Sequence, residues 1–295
     1  MPNVINYADS FSKDLDQQYA REASTNDFED NKRYKIIDAQ TIKVPTIELS
    51  GYKDHARDGS VNTGSVSNEW TPYMLDFDRD ISFFIDEADV IESNRVLESA
   101  NVTATFNSEQ AIPETDAYRY SKLFSDFTTL GKTPTTTAVT VDNILSIFDT
   151  MMSEMDEAGV PREGRKMKVT PTVDKLLKNA KEIQRYINVQ GGGTVVNRIV
   201  TDLDGVEIKV VQASRMKTAF DFTVGFVPAV TAKQINFILY HNSAIIARKA
   251  ISDIFLFPKG SEAAAAFGDL YKNRSYQGCW ILKNKVDGIK FHTAA

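Results

Sequence analysis

The spacing of apolar residues predicts three helices in the body of the chain. The strongest pattern covers 141–158, where apolar side chains recur along one helix face until Gly159 ends the run. A second helix is expected over 170–187, with Thr170 at its N-cap. A thinner apolar stripe with a seven-residue period predicts a third helix over 86–110, which would leave much of its surface to solvent or to a partner.

Stretches rich in isoleucine, valine and threonine predict strands at both ends of the chain. At the front, 35–50 and 71–85 are expected to form the two arms of one hairpin. Pro45 makes the first arm an edge or irregular strand, because proline cannot donate a ladder hydrogen bond. Further strands are expected at 165–169, on both sides of a turn at Asp204-Gly205, at 235–241, and at 252–258, 275–284 and 288–293, with Asp287-Gly288 as a second turn.

A long polar stretch separates the two predicted arms of the hairpin. Between Tyr52 and Trp70 the chain is filled mainly by glycine, serine, asparagine and charged residues. A hairpin loop normally has about two to five residues, and an isolated two-stranded ribbon is marginal in water. Both difficulties disappear if the hairpin lies across another subunit, and the pattern therefore favours a hairpin that finds its contacts outside its own chain.

Residues 1–34 are polar and charged except for a stripe of large side chains at intervals of four. Tyr7, Phe11, Leu15 and Tyr19 would lie along one face of a short helix. Two interpretations stay open at this point. The helix packs on its own domain, or it is part of an arm that lies on a neighbouring subunit.

Composition limits the classes of function. The chain has 295 residues, of which 42% are hydrophobic and 25% charged, and its net charge of −6 argues against a coat that neutralises nucleic-acid phosphates with a basic surface. It contains no apolar run of about 18 residues, so no membrane span is predicted. Its start lacks the apolar core of a signal peptide, and we expect synthesis in a cytoplasm without export by the usual route.

Two glycine-containing motifs suggest anion binding but have the wrong context. The motif Gly-Lys-Thr at 131–133 resembles the end of a phosphate-binding loop, but Asp126 stands where that loop needs its first glycine. The three glycines at 191–193 follow a predicted helix and precede a strand, which is the reverse of the order that places an anion at a helix N-terminus. Neither motif predicts a nucleotide site.

Other candidate chemistry is equally weak. Asp76, Asp78 and Asp80 alternate on one predicted strand face, but Ile81 stands where a calcium loop needs its glycine, so an acidic surface facing a neighbour's basic residues or water is favoured. Cys279, the only cysteine, lies in an apolar strand and is expected to be inert. The three histidines have no partner in sequence that would make one a base or a ligand. We predict no catalytic, cofactor-binding or metal site.

Several segments, in their order along the chain, resemble the major capsid protein of tailed bacteriophages, which has the Hong Kong phage fold. The resemblance covers nearly the whole chain, and none of it is a catalytic motif. It rests on "YADSFSKDLDQQYAREASTNDFE" (7–29), "AQTIKVPTIELSGYKDH" (39–55), "VSNEWTPYMLDFDRDISFFIDEADVIESN" (66–94), "AIPETDAYRYSKL" (111–123) and "SYQGCWILKNKVDGIKFHT" (275–293).

The resemblance implies an α+β fold with a characteristic division of the chain. An N-terminal arm and an extended hairpin loop reach over neighbouring subunits. A peripheral domain contains the long spine helix, expected over 86–110, and an axial domain lies around the five-fold and six-fold centres. The implied boundaries are 1–34 for the arm, 35–85 for the extended loop, 86–134 for the peripheral domain, 135–240 for the axial domain and 241–295 for strands that return to the peripheral domain.

The resemblance also implies a structural role without catalysis. Such a protein assembles into pentamers and hexamers of an icosahedral shell that encloses double-stranded DNA, contacts that DNA weakly, and has a scaffolding protein and a portal protein as partners. Assembly would take place in the cytoplasm of a host bacterium, away from any membrane. The residues expected at contacts between subunits are Phe11, Leu15, Tyr19, Lys53, Arg57, Trp70, Asp76, Asp78 and Asp80.

Two alternatives remain open from the sequence. An encapsulin-type compartment would share the fold but enclose a cargo enzyme in place of DNA. A soluble α/β enzyme would run as a monomer or small oligomer, with the stripe of the N-terminal segment packed on its own body. Lys53 lies near the hairpin tip, but a single lysine does not predict a covalent crosslink to a neighbour.

Overall fold

The computed structural model describes residues 23–29, 35–36, 40–55, 62–92, 99–180, 200–260 and 267–295. The strands in these residues are β1 (Lys35–Ile36), β2 (Thr41–Leu49), β3 (Val66–Met74), β4 (Phe77–Asp86), β5 (Arg165–Val169), β6 (Asp202–Leu203), β7 (Val206–Val210), β8 (Phe220–Asp221), β9 (Val227–Pro228), β10 (Ile235–His241), β11 (Ile245–Phe257), β12 (Gly268–Ile281) and β13 (Ile289–Thr293). The helices are α1 (Glu87–Glu92), α2 (Ser99–Phe106), α3 (Ile112–Thr129), α4 (Ile144–Glu157) and α5 (Pro171–Asn179).

The front of the chain forms the predicted hairpin. β2 and β3 pair antiparallel up to Leu49 opposite Val66, and β1 adds a short third strand beside β2. The long polar tip lies between Leu49 and Val66. The prediction of one continuous arm over 71–85 is wrong, because the chain turns inward at Leu75 and Asp76. β3 ends there, and β4 joins a different sheet.

That second sheet has the order β11-β12-β4 and is antiparallel throughout. One of its faces packs against α2, where Phe106 contacts Phe83 and Tyr271. The opposite face carries the even-numbered residues of β4. The sheet therefore has helices on one side only within the described residues.

The helix predicted over 86–110 begins where expected, but the observed helix continues beyond residue 110. Its described parts are α1 and α2, and a π-helical segment, Asn107–Ala111, joins α2 to α3 so that the helix continues to Thr129. Pro113 does not stop it, because it directly follows the π-helical segment, where the hydrogen-bond pattern of the helix changes and a missing N–H is accommodated. α3 was not predicted, and its buried face includes the charged residues Asp116 and Arg119.

The third sheet has the order β13-β10-β5-β7-β6, with β5 and β7 parallel and the other pairs antiparallel. The helix predicted over 141–158 is confirmed as α4. The helix predicted over 170–187 is confirmed at its start as α5, but it ends at Asn179, since Ala180 has extended backbone angles; 181–187 and the glycines at 191–193 lie outside the described residues. The Asp204-Gly205 turn is also confirmed. Both residues have positive φ, 52° and 79°, as a tight hairpin turn requires.

The last strand departs from the expected division of the chain. Residues 241–295 were expected to return together to the peripheral domain, but β13 pairs with β10 in the five-stranded sheet. Phe291 of β13 packs against Phe124 and Phe127, so α3 lies against this sheet. The turn predicted at Asp287-Gly288 lies at the end of a 3₁₀ helix, Lys283–Gly288, which carries the chain from β12 to β13 in a different sheet and is not a tight hairpin.

Candidate inter-subunit surfaces

One face of the hairpin is apolar and exposed. Residues that pair directly across β2 and β3 lie on the same face, so Leu49 and Val66 share a face with Ile47 and Trp70. Their exposed fractions are 72%, 73%, 65% and 41%. A contiguous apolar surface of this kind on a soluble protein usually marks a binding site.

The opposite face of the hairpin contacts the body, but only near its base. Ile42 and Leu75 are buried in a cluster with Tyr276 and Trp280, and Tyr73 lies with its ring 6.0 Å from that of Trp280. Farther out, a cleft of about 370 Å³ separates the hairpin from the turn at 282–285. The outer half of the hairpin is therefore held away from its own body.

The three acidic residues near the hairpin do not share one strand face as predicted. Asp76 lies before β4, whereas Asp78 and Asp80 lie on the exposed face of that strand. Asp78 forms an ion pair of 2.7 Å with Arg274 of β12, and that arginine holds the pKa of Asp78 below its ordinary value. Asp76 binds α3 through Lys122. Two of the three thus have partners in their own chain, and their role between subunits stays a prediction.

The other predicted contact residues fall into two groups. Lys53 is exposed near the tip, where Asn62 donates a 2.7 Å hydrogen bond to the carbonyl oxygen of Asp54. Trp70 is partly exposed on β3. Arg57 lies outside the described residues, and so do Phe11, Leu15 and Tyr19, so these four stay predictions.

The end of the N-terminal segment is inserted into the body. Ser24 donates to the Asp116 carboxylate from its backbone N–H (3.0 Å) and its hydroxyl (2.7 Å), and the Thr25 hydroxyl donates to the other carboxylate oxygen (2.7 Å). Arg119 binds the Thr25 carbonyl oxygen and the Glu29 carboxylate. Whatever residues 1–22 contact, the chain is anchored in its own body from residue 23 onward.

Lys168 provides the second part of this anchor. Its ammonium group donates to Asp27 (2.6 Å) and to the Ser24 carbonyl oxygen (2.7 Å), and it lies 3.8 Å from the centre of the Phe28 ring. Burial lowers the pKa of Lys168 to about 8 despite these partners. Burial alone would raise the pKa of Asp27, but the ion pair with Lys168 and the Tyr240 hydroxyl bring it below its ordinary value.

Sequence reasoning missed this anchor, although a signal was present. Asp116 and Arg119 stand among aromatic residues of α3, whereas Lys168 stands in β5 with two other basic residues, so only the pair in α3 gave a signal. A charged residue inside an otherwise apolar element is buried only when it is paired. What the sequence could not show is that the partners come from 23–29, far away along the chain.

A second exposed apolar surface lies on the open face of the β11-β12-β4 sheet. Phe84, Leu270 and Phe257 lie side by side in register, and Phe255 extends the row. Phe84 and Phe255 are each half exposed. The other half of the face is charged, with Arg274 between Asp78 and neighbouring carboxylates. Together with the hairpin, this face gives the described part of the chain two unoccupied apolar surfaces.

Groups that could carry catalysis are not brought together in the described residues. Cys279 is fully buried, which raises the pKa of its thiol to about 12. His241 is bound to Ser243 and to the carbonyl oxygen of Glu163, and His292 stacks on Phe237. Across the described ranges, no group of three or more acidic, histidine or cysteine side chains could hold a metal ion.

Lys132 of the glycine-lysine motif forms an ion pair with Asp287. In the portion of the chain that the structure describes, no helix has the length and apolar character needed to cross a membrane.

Comparison with known proteins identifies the fold. No protein-family model matches the sequence, and no curated protein matches it. Among solved structures, the mature capsid of bacteriophage PhiM1 is similar with a TM-score of 0.63 and 15% identity, over 87% of this chain and 82% of that one. The capsid of cyanophage P-SCSP1u has a TM-score of 0.56 and 16% identity, over 88% and 85% of the two chains.

A virus-like particle from Pyrococcus furiosus is also similar, with a TM-score of 0.51 and 13% identity over 97% of this chain and 99% of that one. These likenesses extend over most of each chain. They show that the chain has the Hong Kong phage fold, the fold of tailed-phage capsid proteins. The fold expected from the sequence is thereby confirmed.

Proposed function

We propose that the chain is the major capsid protein of a tailed bacteriophage, which assembles into pentamers and hexamers of an icosahedral shell around double-stranded DNA. The observation that carries this proposal is the fold shared with phage capsids over most of the chain. The role is structural, without catalysis. Its location is the virion, with assembly in the cytoplasm of the host bacterium.

The exposed surfaces support this proposal. The apolar face of the hairpin has no cover within the described residues, and its outer half stands away from the body. In a shell, a neighbouring copy would bury that face, and the open face of the β11-β12-β4 sheet offers apolar and charged surface for such contacts. Identical copies would thereby acquire the mixed, extensive interfaces of stable assemblies.

Further partners follow from the proposal. An acidic chain with a net charge of −6 would contact packaged DNA weakly, since it does not neutralise the phosphates. A scaffolding protein would guide assembly, and a portal protein would replace one pentamer. The division into arm, extended loop, peripheral and axial domains is proposed in the same sense, with β13 assigned to the axial sheet.

The hairpin face provides the test. Leu49→Ser combined with Val66→Ser makes the outer end of the apolar face polar. Because both side chains are exposed, we expect the free energy of unfolding to change by less than about 1 kcal/mol, whereas the yield of particles falls at least about tenfold. Gradient sedimentation and negative-stain microscopy of protein expressed in bacteria measure the yield.

The matched control is the neighbouring pair on the other face, Glu48→Gln with Ser67→Ala. This control should assemble like the parent chain. A parent chain that remains a monomer with and without a scaffolding protein would contradict the proposed function. Normal particles from the double serine variant would show that the hairpin face is not an interface.

The second candidate is a protein compartment that encloses a cargo protein. The similarity to the Pyrococcus furiosus virus-like particle, over nearly the full length of both chains, favours it. The contents of purified particles separate the two functions. Nuclease-protected double-stranded DNA indicates a virion, and a stoichiometric protein cargo indicates a compartment.

A further inference from the structure

The hairpin joins the body at a short hinge. The two strands of the hairpin meet the body at Gln40 and Leu75. The backbone N–H of Leu75 donates a 2.8 Å hydrogen bond to the carbonyl oxygen of Gln40. The Tyr276 hydroxyl donates to the Leu75 carbonyl oxygen at 3.1 Å. Beyond this point the outer residues of β2 and β3 are exposed on both faces. The angle between hairpin and body is therefore decided at the hinge.

Asp76 fastens this hinge to α3. One oxygen of its carboxylate accepts a hydrogen bond from the Tyr118 hydroxyl, and the other accepts one from the Lys122 ammonium at 2.7 Å. Tyr118 and Lys122 are four residues apart and lie on the same face of the helix. A carboxylate held at both oxygens by one helix face is fixed in orientation as well as position.

The contact continues along one row of α3. Phe77 stacks on Tyr118 with ring centres 4.0 Å apart, and Arg79 forms an ion pair of 2.8 Å with Glu114. The start of β4 is thus fastened to successive turns of the helix. Asp76 is the end of this row, and the hairpin begins on its other side.

We infer that Asp76 is a positioning residue, which sets the angle of the hairpin to the body through its two bonds to α3. This inference rests on the proposed function in one respect only. If the chain forms a shell, the angle of the hairpin directs its apolar face at a neighbouring copy. The packing of Ile42 and Leu75 attaches the hairpin to the body, but apolar contacts have no directional preference. Direction comes from hydrogen bonds: the one from Tyr276 to Leu75, and the two of Asp76, which tie the hinge to α3.

Small changes at this hinge have large effects at the tip. A strand of nine residues extends about 30 Å at its usual rise per residue, and β2 has nine. A rotation of about 10° at Asp76 would therefore move the far end of the hairpin by about 5 Å. That displacement is as large as the spacing between neighbouring strands, so it would separate the apolar face from a fitted partner.

The test is a distance measurement on the full-length free subunit. Spin labels are attached through Glu48→Cys on the hairpin and Ser153→Cys on α4; Cys279 is buried and does not take a label. Into this labelled chain we introduce Asp76→Asn, which keeps an acceptor for Tyr118 but loses the charge that holds Lys122. We expect the distribution of distances between the labels to become at least twofold broader.

The matched control is Asp78→Asn, in the same labelled chain. Asp78 has nearly the same exposed fraction as Asp76, 43% against 44%, and an ion pair of the same length, 2.7 Å, but it lies within β4. Its distribution should match the parent. Lys122→Met, which removes the other charge, should broaden the distribution as Asp76→Asn does, and Asp76→Glu should largely restore the parent width.

An unchanged distribution in both Asp76→Asn and Lys122→Met would overturn the inference. So would equal broadening in Asp78→Asn. If Asp76→Asn does not fold, as judged by thermal melting, Lys122→Met decides alone. None of these measurements requires assembly, so a chain that never forms shells would contradict the proposed function while the distances still test the hinge.

Discussion

At the scale of single residues, the chain separates charges that hold the fold together from charges on its surface. Lys168 is buried and its partner Asp27 is largely buried, and each also binds neighbouring polar groups. Glu87 and Lys259 form an ion pair as well, but both side chains are about half exposed. From their geometry alone, the two ion pairs would be expected to contribute equally to the free energy of unfolding. Burial decides between them, because an unpaired charge costs far more away from water.

Asp27→Ala tests this difference. It leaves the Lys168 ammonium buried without its carboxylate, so we expect the free energy of unfolding to fall by about 3–5 kcal/mol. Glu87→Ala, the control, breaks an exposed pair and should cost less than about 1 kcal/mol. Urea denaturation measures both. Equal losses would mean that the segment 23–29 is not anchored as described.

Asp126 makes stability depend on pH. Burial raises the pKa of its carboxyl to about 6, although Lys122 and the Ile281 backbone N–H lower it. The folded chain therefore binds this proton more tightly than the unfolded chain, whose carboxyl has a pKa of about 4. The resulting stabilisation is complete below pH 4 and is lost as the pH rises through 6.

Asp126→Asn removes this titration while keeping an oxygen that can accept from Ile281. The free energy of unfolding of the variant minus that of the parent should be larger at pH 7.5 than at pH 4.5, since only the parent has a buried carboxylate at the higher pH. Thermal melts at the two values measure the difference. No difference would show that Asp126 titrates as it does in the unfolded chain, and a difference of the opposite sign would show that folding lowers its pKa.

At the scale of elements, the sequence predicted best where apolar residues face one layer. Phe148, Met151 and Met155 of α4 pack into a single cluster with the five-stranded sheet, so their helical spacing was visible. α3 is buried on several sides, and its inward positions include Asp116 and Arg119. Those charges have partners from distant segments, which no local pattern reveals. For the same reason the break at Leu75–Asp76 could not be seen in the strand-like run 71–85.

Gly278 shows how tightly β12 supports the base of the hairpin. A Cβ atom at this position would lie 2.3 Å from the Trp280 ring and 3.3 Å from the Cα atom of Leu75. Gly278→Ala would therefore push Trp280 out of the cluster that holds the hairpin. We expect a loss of about 1–3 kcal/mol in the free energy of unfolding.

Chemical denaturation followed by tryptophan fluorescence measures this loss, since Trp280 is buried and Trp70 is not. Gly51→Ala is the control, because nothing lies within 4 Å of its added Cβ. It should leave stability unchanged. A Gly278→Ala variant as stable as this control would mean that the hairpin base can rearrange at little cost.

At the scale of the whole molecule, the order of segments predicted the fold although no single motif did. The hairpin with its long tip, the helix after it and the closing strands were each recognisable, and their sequence along the chain matched the capsid fold. The surfaces were harder to predict. The sequence predicted an edge or irregular strand at Pro45 but no apolar face, which became visible only from the register of Leu49 with Val66 and the exposure of both strands.

The anchored segment 23–29 has a consequence for biosynthesis. Asp27 accepts a hydrogen bond from Tyr240, which lies 213 residues later in the chain. Arg119 donates one to Gln277, which lies 158 residues after Arg119. A nascent chain emerging from the ribosome therefore carries Asp27 without Tyr240 until β10 has been translated, and Arg119 without Gln277 until β12 has been translated. The contacts that close the body join residues far apart in the chain and therefore form late. Until synthesis has supplied both partners, the subunit cannot complete its fold.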